Sequence, residues 1–391
     1  MEGTGSTVVR QRQASKKNSA KRETPNLPAT IYTIDEAAFA RDVLRWFRRY
    51  GRHDLPWQQN RDPYSIWVSE IMLQQTQVAT VIPYYRRFIK RFPDIQRLAR
   101  AKLDSVLDHW TGLGYYARAR NLHRAAQLIE REHGGCFPDR FDEVVALPGI
   151  GRSTAGAILS FAHHQVLPIL DGNVRRVLAR AFAITGDTSG AKGQQVLWSI
   201  VERLLPRKGS AAAAFNQAMM DLGAMICVQR HPACDQCPLR RSCRALALGA
   251  VGQFPQGRPA RARPVRKSRL LILQDPLGRV LLERRPAEGI WGGLWCFPQI
   301  DLESKPEAWC RRALGIRARL ENPGAMISHG FTHFVLELYP STLTVSRGAA
   351  DKVVTSGRQW IDPGRPGRKG LAAPIKILLN QLDKKIDDKD R

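Results

Sequence analysis

No run in this sequence approaches the roughly 18 to 20 apolar residues that a bilayer-crossing helix needs, and its start lacks the apolar core of a secretion signal. Those absences make a soluble, intracellular protein with no membrane partner the expectation. Cysteine is sparse: seven in 391 residues do not make a disulfide framework. Negative charge is also short, with 35 Asp and Glu against 61 Lys and Arg and a formal net charge of +26. That excess is more than solubility requires, and a cationic surface gathers polyanions by releasing their condensed counterions. Nucleic acid is therefore the leading partner, although a basic protein with no particular ligand or one that rests on a membrane surface would share this composition. No tandem repeat is visible.

The chain can bury more than one core, since 43% of it is hydrophobic and domains usually hold about 100 to 200 residues. Two folded units are expected. Residues 1–33 carry Arg10, Arg12, Lys16, Lys17, Lys21 and Arg22 among Ser, Thr, Gln and Ala, with too few large apolar groups to offset ordering entropy. They read as a disordered tail that attracts DNA loosely, and an organelle or nuclear targeting segment would look similar. Residues 34–248 read as all-α, with apolar residues at three- and four-residue spacing in 37–50, 78–92 and 103–110. Gly, Pro and Arg dominate 249–268, which reads as a basic linker. From 269 to 382 an α+β domain is expected: apolar runs at 270–273 and 280–283 flank the turn Asp275-Pro276-Leu277-Gly278, 331–339 alternates, and a helix fits 306–314. Residues 383–391 form a charged tail.

Three local patterns carry chemistry. Leu147-Pro148-Gly149-Ile150-Gly151 separates the amphipathic 141–146 from a helix opened by Arg152, Ser153 and Thr154. Glycines allow a tight reversal and bare backbone N–H groups at a helix start, where a phosphate is well received. This is a helix-hairpin-helix rather than a plain connection, and its grip through Gly149 and Gly151 positions DNA without reading sequence. Asp171, ahead of Gly172-Asn173-Val174, is a helix N-cap whose carboxylate backbone donors would hold ionised; capping alone would also explain it. Glu70 lies on the expected helix 63–75, capped by Asp62, among Ile66, Trp67, Ile71 and Leu73. Desolvation there would raise its pKa and suit a general acid, though an exposed helical glutamate has the same neighbours. Cys227, Cys234, Cys237 and Cys243 crowd one stretch, and their spacing leaves zinc and an iron-sulfur cube both open. Arg230 and His231 sit in the first loop between them, and Arg240, Arg241 and Arg244 extend the charge.

Longer stretches then resemble one family: Leu55-Pro56-Trp57; Trp67-Val68-Ser69-Glu70-Ile71-Met72-Leu73-Gln74-Gln75-Thr76-Gln77-Val78; and Trp110-Thr111-Gly112-Leu113-Gly114-Tyr115-Tyr116-Ala117-Arg118. The chain resembles the MutY-type adenine DNA glycosylases of the helix-hairpin-helix, endonuclease III superfamily. That resemblance implies that Glu70 protonates the adenine ring and later handles water, that Asp171 stabilises the oxocarbenium-like sugar or bonds to it, and that Asn173 supports the carboxylates, a division of labour like that of retaining glycosidases. It implies a flipped adenine in a pocket lined by Trp57, Gln58 and Gln217, with Gln75, Thr76, Leu113 and Tyr115 at the vacated stack. It assigns the four cysteines to a [4Fe-4S] cluster; Arg230, in the first loop of that stretch, would then face phosphate, although a solvated charge run has the same composition. Relatives of the endonuclease III type carry a lysine nucleophile where this chain has Ser153, so a monofunctional enzyme is expected.

Gly289-Ile290-Trp291-Gly292-Gly293-Leu294-Trp295-Cys296-Phe297-Pro298 resembles the Nudix-like domain of the same family, and Pro306-Glu307-Ala308-Trp309-Cys310-Arg311-Arg312 lacks the acidic cluster that would hold magnesium. Lesion recognition without nucleotide hydrolysis is expected. Phe331-Thr332-His333 matches the family's hairpin that contacts oxidised guanine, with threonine where the family has serine. His329 and His333 lack a further ligand nearby and read as solvated or core histidines, while Cys136, Cys296 and Cys310 read as buried small hydrophobes. The implied function is removal of adenine paired with 8-oxoguanine or G in double-stranded DNA, by a monomeric protein, cytoplasmic and nucleoid-associated unless the tail is a targeting segment. An endonuclease III-like lyase and a noncatalytic iron-sulfur DNA-binding or redox-sensing protein are the other readings.

Overall fold

The computed structural model describes residues 34–257, 262–355 and 357–387; the tail 1–33 and residues 388–391 lie outside them. Residues from Asp35 onward form one compact unit. Its first part is helical: α1 (Glu36–Tyr50), α2 (Pro63–Leu73), α3 (Val78–Arg91), α4 (Ile95–Ala99), α5 (Leu103–Trp110), α6 (Ala117–Glu132), α7 (Phe141–Ala146), α8 (Arg152–His163), α9 (Gly172–Ala181), α10 (Ala191–Leu204), α11 (Gly209–Asp221) and α12 (Arg244–Ala247). Aspartates start several of these helices by accepting first-turn N–H groups: Asp35 at α1, Asp62 at α2, Asp94 at α4 and Asp171 at α9. The α2 helix is buried nearly all round, through Trp67, Val68, Ile71 and Met72, and packs against α3, α6 and α8. It ends at Leu73, short of the expected 75, because Gln75 adopts a left-handed backbone with φ 58°.

The second part is a mixed sheet of β1 (Val265–Gln274), β2 (Val280–Arg284), β3 (Trp295–Cys296), β4 (Gln299–Ile300), β5 (Ala318–Pro323), β6 (Ile327–Gly330), β7 (Val335–Val345) and β8 (Arg358–Ile361), in the order β3-β2-β1-β7-β5. The long parallel pair β1 and β7 forms its spine, β4 adds to β1, β6 to β7 and β8 to β2. Helix α13 (Pro306–Trp309) runs on as a wider turn to Leu314; α14 (Arg347–Ala350) and α15 (Ala373–Asp387) complete the part. Buried Asp275 shapes the turn between β1 and β2 by accepting from the N–H groups of Leu277 and Arg279.

Several boundaries differ from the sequence reading. Strand β1 starts at Val265, inside the stretch read as linker, because its parallel register with β7 begins there. The alternating 331–339 splits into a turn and then β7, and α15 extends through 383–387. Cys136 is exposed, not buried, because it follows Gly134 and Gly135 in a surface turn, whereas Cys296 and Cys310 are buried. The larger difference is in packing. Both faces of β1 are covered: Leu271 and Leu273 join Cys310 and Ile316 in a core of their own, while Leu270 and Ile272 belong to the core that contains Leu107, Trp110 and α2. The helical part and the sheet, expected as two folded units, pack apolar face to apolar face.

Candidate functional site

Asp171 caps α9, accepting from Val174 N–H at 2.7 Å and from the Asn173 side-chain amide at 3.1 Å. Its carboxyl is nonetheless raised above the ordinary aspartate value, because burial outweighs those donors and the nearby Arg176 charge. The donors expected at this N-cap are present and favour the anion, and burial opposes them. Glu70, on α2, is raised to about 8, first by burial and then by the negative charge of Asp171. Among the described residues no hydrogen bond reaches the Glu70 carboxyl. Glu70, without donors and facing the charge of Asp171, keeps its proton at neutral pH, whereas Asp171 has donors and the Arg176 charge that favour its anion.

The hairpin steadies both carboxylate-bearing segments. Gly149 has φ 83°, and a Cβ there would stand 2.8 Å from Asn121 Cβ, so glycine is required; at Gly151, the N-cap of α8, a Cβ would meet nothing. Ser153 Oγ accepts the N–H of Leu170 at 3.1 Å, just before Asp171, and the Gln74 amide donates to Thr154 Oγ1 at 3.4 Å. The other expected residues divide. Trp57 is buried and edge-on to Tyr85 at 5.3 Å; Gln58 accepts the N–H of Leu55 at 3.2 Å; Gln217 donates to Asp221 at 2.9 Å. Gln75 is exposed, as is Tyr115, at 48%. Leu113, which its place in a loop between Gly112 and Gly114 would suggest is exposed, is not: at 7% exposure it belongs to the core that contains Trp110, by ordinary apolar packing.

Arg118 explains why the 74–76 and 113–115 turns form one surface, a role the sequence reading missed. Its buried guanidinium donates to the carbonyls of Ile71, Met72, Gln74, Leu113 and Gly114 and to Thr76 Oγ1, and lies over the rings of Trp110 and Tyr115. Both turns hold a residue with positive φ, Gln75 and Tyr115. The Tyr115 hydroxyl stands 3.4 Å from Thr332 Oγ1 across the turn between β6 and β7, where Thr332 and His333 are exposed. Phe331 anchors that turn, stacked on Phe334 at 4.5 Å and edge-on to His329 at 4.8 Å.

Cys227, Cys234, Cys237 and Cys243 line one cavity with Arg180. Four thiols around one cavity are the donor set of a tetrahedral metal site or of an iron-sulfur cube. Burial, with the neighbouring sulfurs, raises the Cys237 thiol to about 12, and ionising it calls for a bound cation. Two arginines fix this loop to α9. Arg180, buried, donates to the carbonyls of Val228, Gln229 and Phe254 and to Cys227 Sγ at 3.4 Å; Arg176 donates to Cys227 O at 2.7 Å and Asn173 Oδ1 at 2.8 Å. Arg230 is exposed on the loop. Among 61 basic residues nothing in spacing distinguishes the inward-facing arginines; their only signal is position on an otherwise apolar helix face.

A model of the HhH-GPD superfamily of base excision DNA repair proteins matches residues 68–203, and a NUDIX domain model matches 269–381. An adenine DNA glycosylase of Buchnera aphidicola subsp. Acyrthosiphon pisum is 38% identical over 350 residues, covering 89% of this chain and 98% of that protein. An adenine DNA glycosylase of Homo sapiens is 34% identical over 388 residues, covering 83% of this chain and 70% of that protein. Among solved structures, a thermostable thymine-DNA glycosylase has a TM-score of 0.50 at 27% identity, covering 55% of this chain and 97% of its own.

Proposed function

The chain belongs to the adenine DNA glycosylase family, and on that premise we propose that it hydrolyses the N-glycosidic bond of adenine paired with 8-oxoguanine, or less well with G, in double-stranded DNA. The observation that carries this reading is the asymmetric pair: Glu70 raised to about 8 with Asp171 as its second cause. A flipped adenine would take the Glu70 proton on its ring as the bond to C1′ breaks. Asp171, helped by Asn173, would stabilise the positive sugar carbon or bond to it. Water then adds to C1′ and returns a proton to Glu70, leaving an abasic site and free adenine. Ser153 supplies no amine, which supports a monofunctional reaction.

Trp57, Gln58 and Gln217 would hold the base, Gln75, Thr76 and Tyr115 would occupy the opened stack, and Phe331, Thr332 and His333 would meet the oxidised guanine. Gly149, Gly151 and Arg230 would take phosphates. Cys227, Cys234, Cys237 and Cys243 would hold a [4Fe-4S] cluster, whose part is structural because hydrolysis moves no electrons. Among the described residues no helix is long and apolar enough to cross a membrane, which is compatible with a monomer acting on DNA in the cytoplasm or nucleus. Incubation with duplexes containing A opposite 8-oxoguanine, A opposite G and A opposite T, followed by alkali, tests the reading. Strand breaks in the first two alone are expected; equal cutting of all three, or none, refutes it.

A further inference from the structure

Asp221 is wholly buried at the end of α11, and its carboxylate is surrounded by donors. Arg52 gives Nε at 3.0 Å and Nη2 at 2.5 Å to Oδ1 and its backbone N–H at 2.8 Å to Oδ2, and the Gln217 side-chain amide donates to Oδ1 at 2.9 Å. We infer that Asp221 is a positioning residue that sets base specificity: it turns the Gln217 amide so that the carbonyl oxygen meets the flipped base, which selects a 6-amino purine over a 6-oxo purine. The inference deepens the proposed function and rests on its placing Gln217 against the base.

A carboxylate accepts and cannot donate, so Gln217 has to commit its NH2 group to Asp221, and the planar amide then directs Oε1 elsewhere. Among the described residues nothing donates to that oxygen, which leaves it for a donor from outside the chain. The 6-amino group of adenine is such a donor. The 6-oxo group of hypoxanthine would set oxygen against oxygen, and would be accepted only with the amide turned over. Both ends of the tie lie next to the site. Arg52 stands shortly ahead of Trp57 and Gln58, so its fork joins the segment that carries them to the helix that carries Gln217. Beyond Asp221 the helix widens over Leu222–Ile226, where Gly223 is so close to α9 that a Cβ there would stand 2.6 Å from Asn173 Cβ, and Asn173 donates to Asp171.

Single-turnover base release is measured on duplexes with adenine or hypoxanthine opposite 8-oxoguanine, for the parent, Asp221→Asn, Gln217→Met, their double variant and Arg52→Lys. An amide at 221 can donate as well as accept, which lets Gln217 turn over. The adenine-to-hypoxanthine rate ratio should therefore fall about tenfold in Asp221→Asn and in Gln217→Met, and no further in the double variant. Both rates come from one preparation, so loss of folded protein does not move the ratio. Arg52→Lys keeps the charge but cannot form the fork, and should narrow the ratio by less; where Asp221→Asn fails to fold, that variant decides alone. An unchanged ratio, or losses that add in the double variant, means that Asp221 braces the fold without orienting Gln217 and overturns the inference. Adenine release by the parent is read in the same assay: those outcomes leave the glycosylase reading standing, whereas a parent that releases no adenine refutes both.

Discussion

Glu70 and Asp171 are both carboxylic acids, and what separates their tasks is the hydrogen bonds one receives and the other does not. Replacing Glu70 by Gln should reduce single-turnover adenine release roughly a hundred- to ten-thousand-fold. In the parent the rate should fall as pH rises through about 8, where Glu70 loses its proton. The acid limb should lie above the ordinary aspartate value, because burial raises Asp171. The same shift appears in stability. Glu70 has a higher pKa folded than unfolded, so its contribution is full below the unfolded value near 4.5 and is lost as pH rises towards about 8. Thermal melts should therefore show Glu70→Gln gaining on the parent between pH 5 and 8 as read at each pH, and a constant difference would contradict the assigned shift. Arg118 is the other decisive residue. Arg118→Met leaves several buried carbonyls without a donor, for a loss of about 3 kcal/mol in denaturant melts. Because both turns loosen, discrimination between A opposite 8-oxoguanine and A opposite G should narrow while the pH profile stays fixed. Arg118→Lys should rescue little, since an ammonium cannot span both turns as a guanidinium fork does.

At the scale of elements, the hairpin between α7 and α8 separates a glycine that the backbone requires from one whose Cβ would meet open space. Gly149→Ala forces a Cβ onto φ 83° and against Asn121, and should destabilise by roughly 1 to 2 kcal/mol. Gly151→Ala meets open space and should melt like the parent, yet weaken duplex binding in a fluorescence-anisotropy titration if a phosphate approaches there. Unchanged binding would remove Gly151 from the phosphate site. The elements that sequence made legible are those set by local rules. Asp62 and Asp171 mark helix starts through capping, the Asp275–Gly278 turn dictates the β1–β2 reversal, and Leu-Pro-Gly-x-Gly separates the helix 141–146 from one opened by Arg152. What was not legible depends on distant partners. Leu113 looks exposed between two glycines but belongs to the large shared core; Gln75 leaves the helix where Arg118, on another helix, captures the carbonyls around it. Glu70 drew its assignment from a resemblance, since the charge of Asp171 that helps raise it lies far along the chain.

For the whole molecule, the question is whether the helical part and the sheet behave as two domains. Their apolar faces form one core, in which Leu107, Trp110, Leu294, Leu371 and Ile375 are all buried. Polar ties lie round its rim: Arg120 to Gly292 O at 2.6 Å, the Tyr116 hydroxyl to Leu371 O at 2.9 Å, and an Arg284–Asp104 ion pair at 2.9 Å. The ion pair is partly exposed and adds little, whereas each apolar side chain fully covered contributes about 1.5 to 3 kcal/mol, so burial sets the coupling. Melting followed by calorimetry should accordingly give a single peak. Leu294→Ala, at a wholly buried position of this shared core, should remove about 2 to 5 kcal/mol and move that peak down as a unit. Two peaks in the parent, or a variant that shifts only part of the heat, would show that the sheet melts apart from the helices. In that case the contact between Tyr115 and Thr332 could not hold the 113–115 turn and the β6–β7 turn in one register.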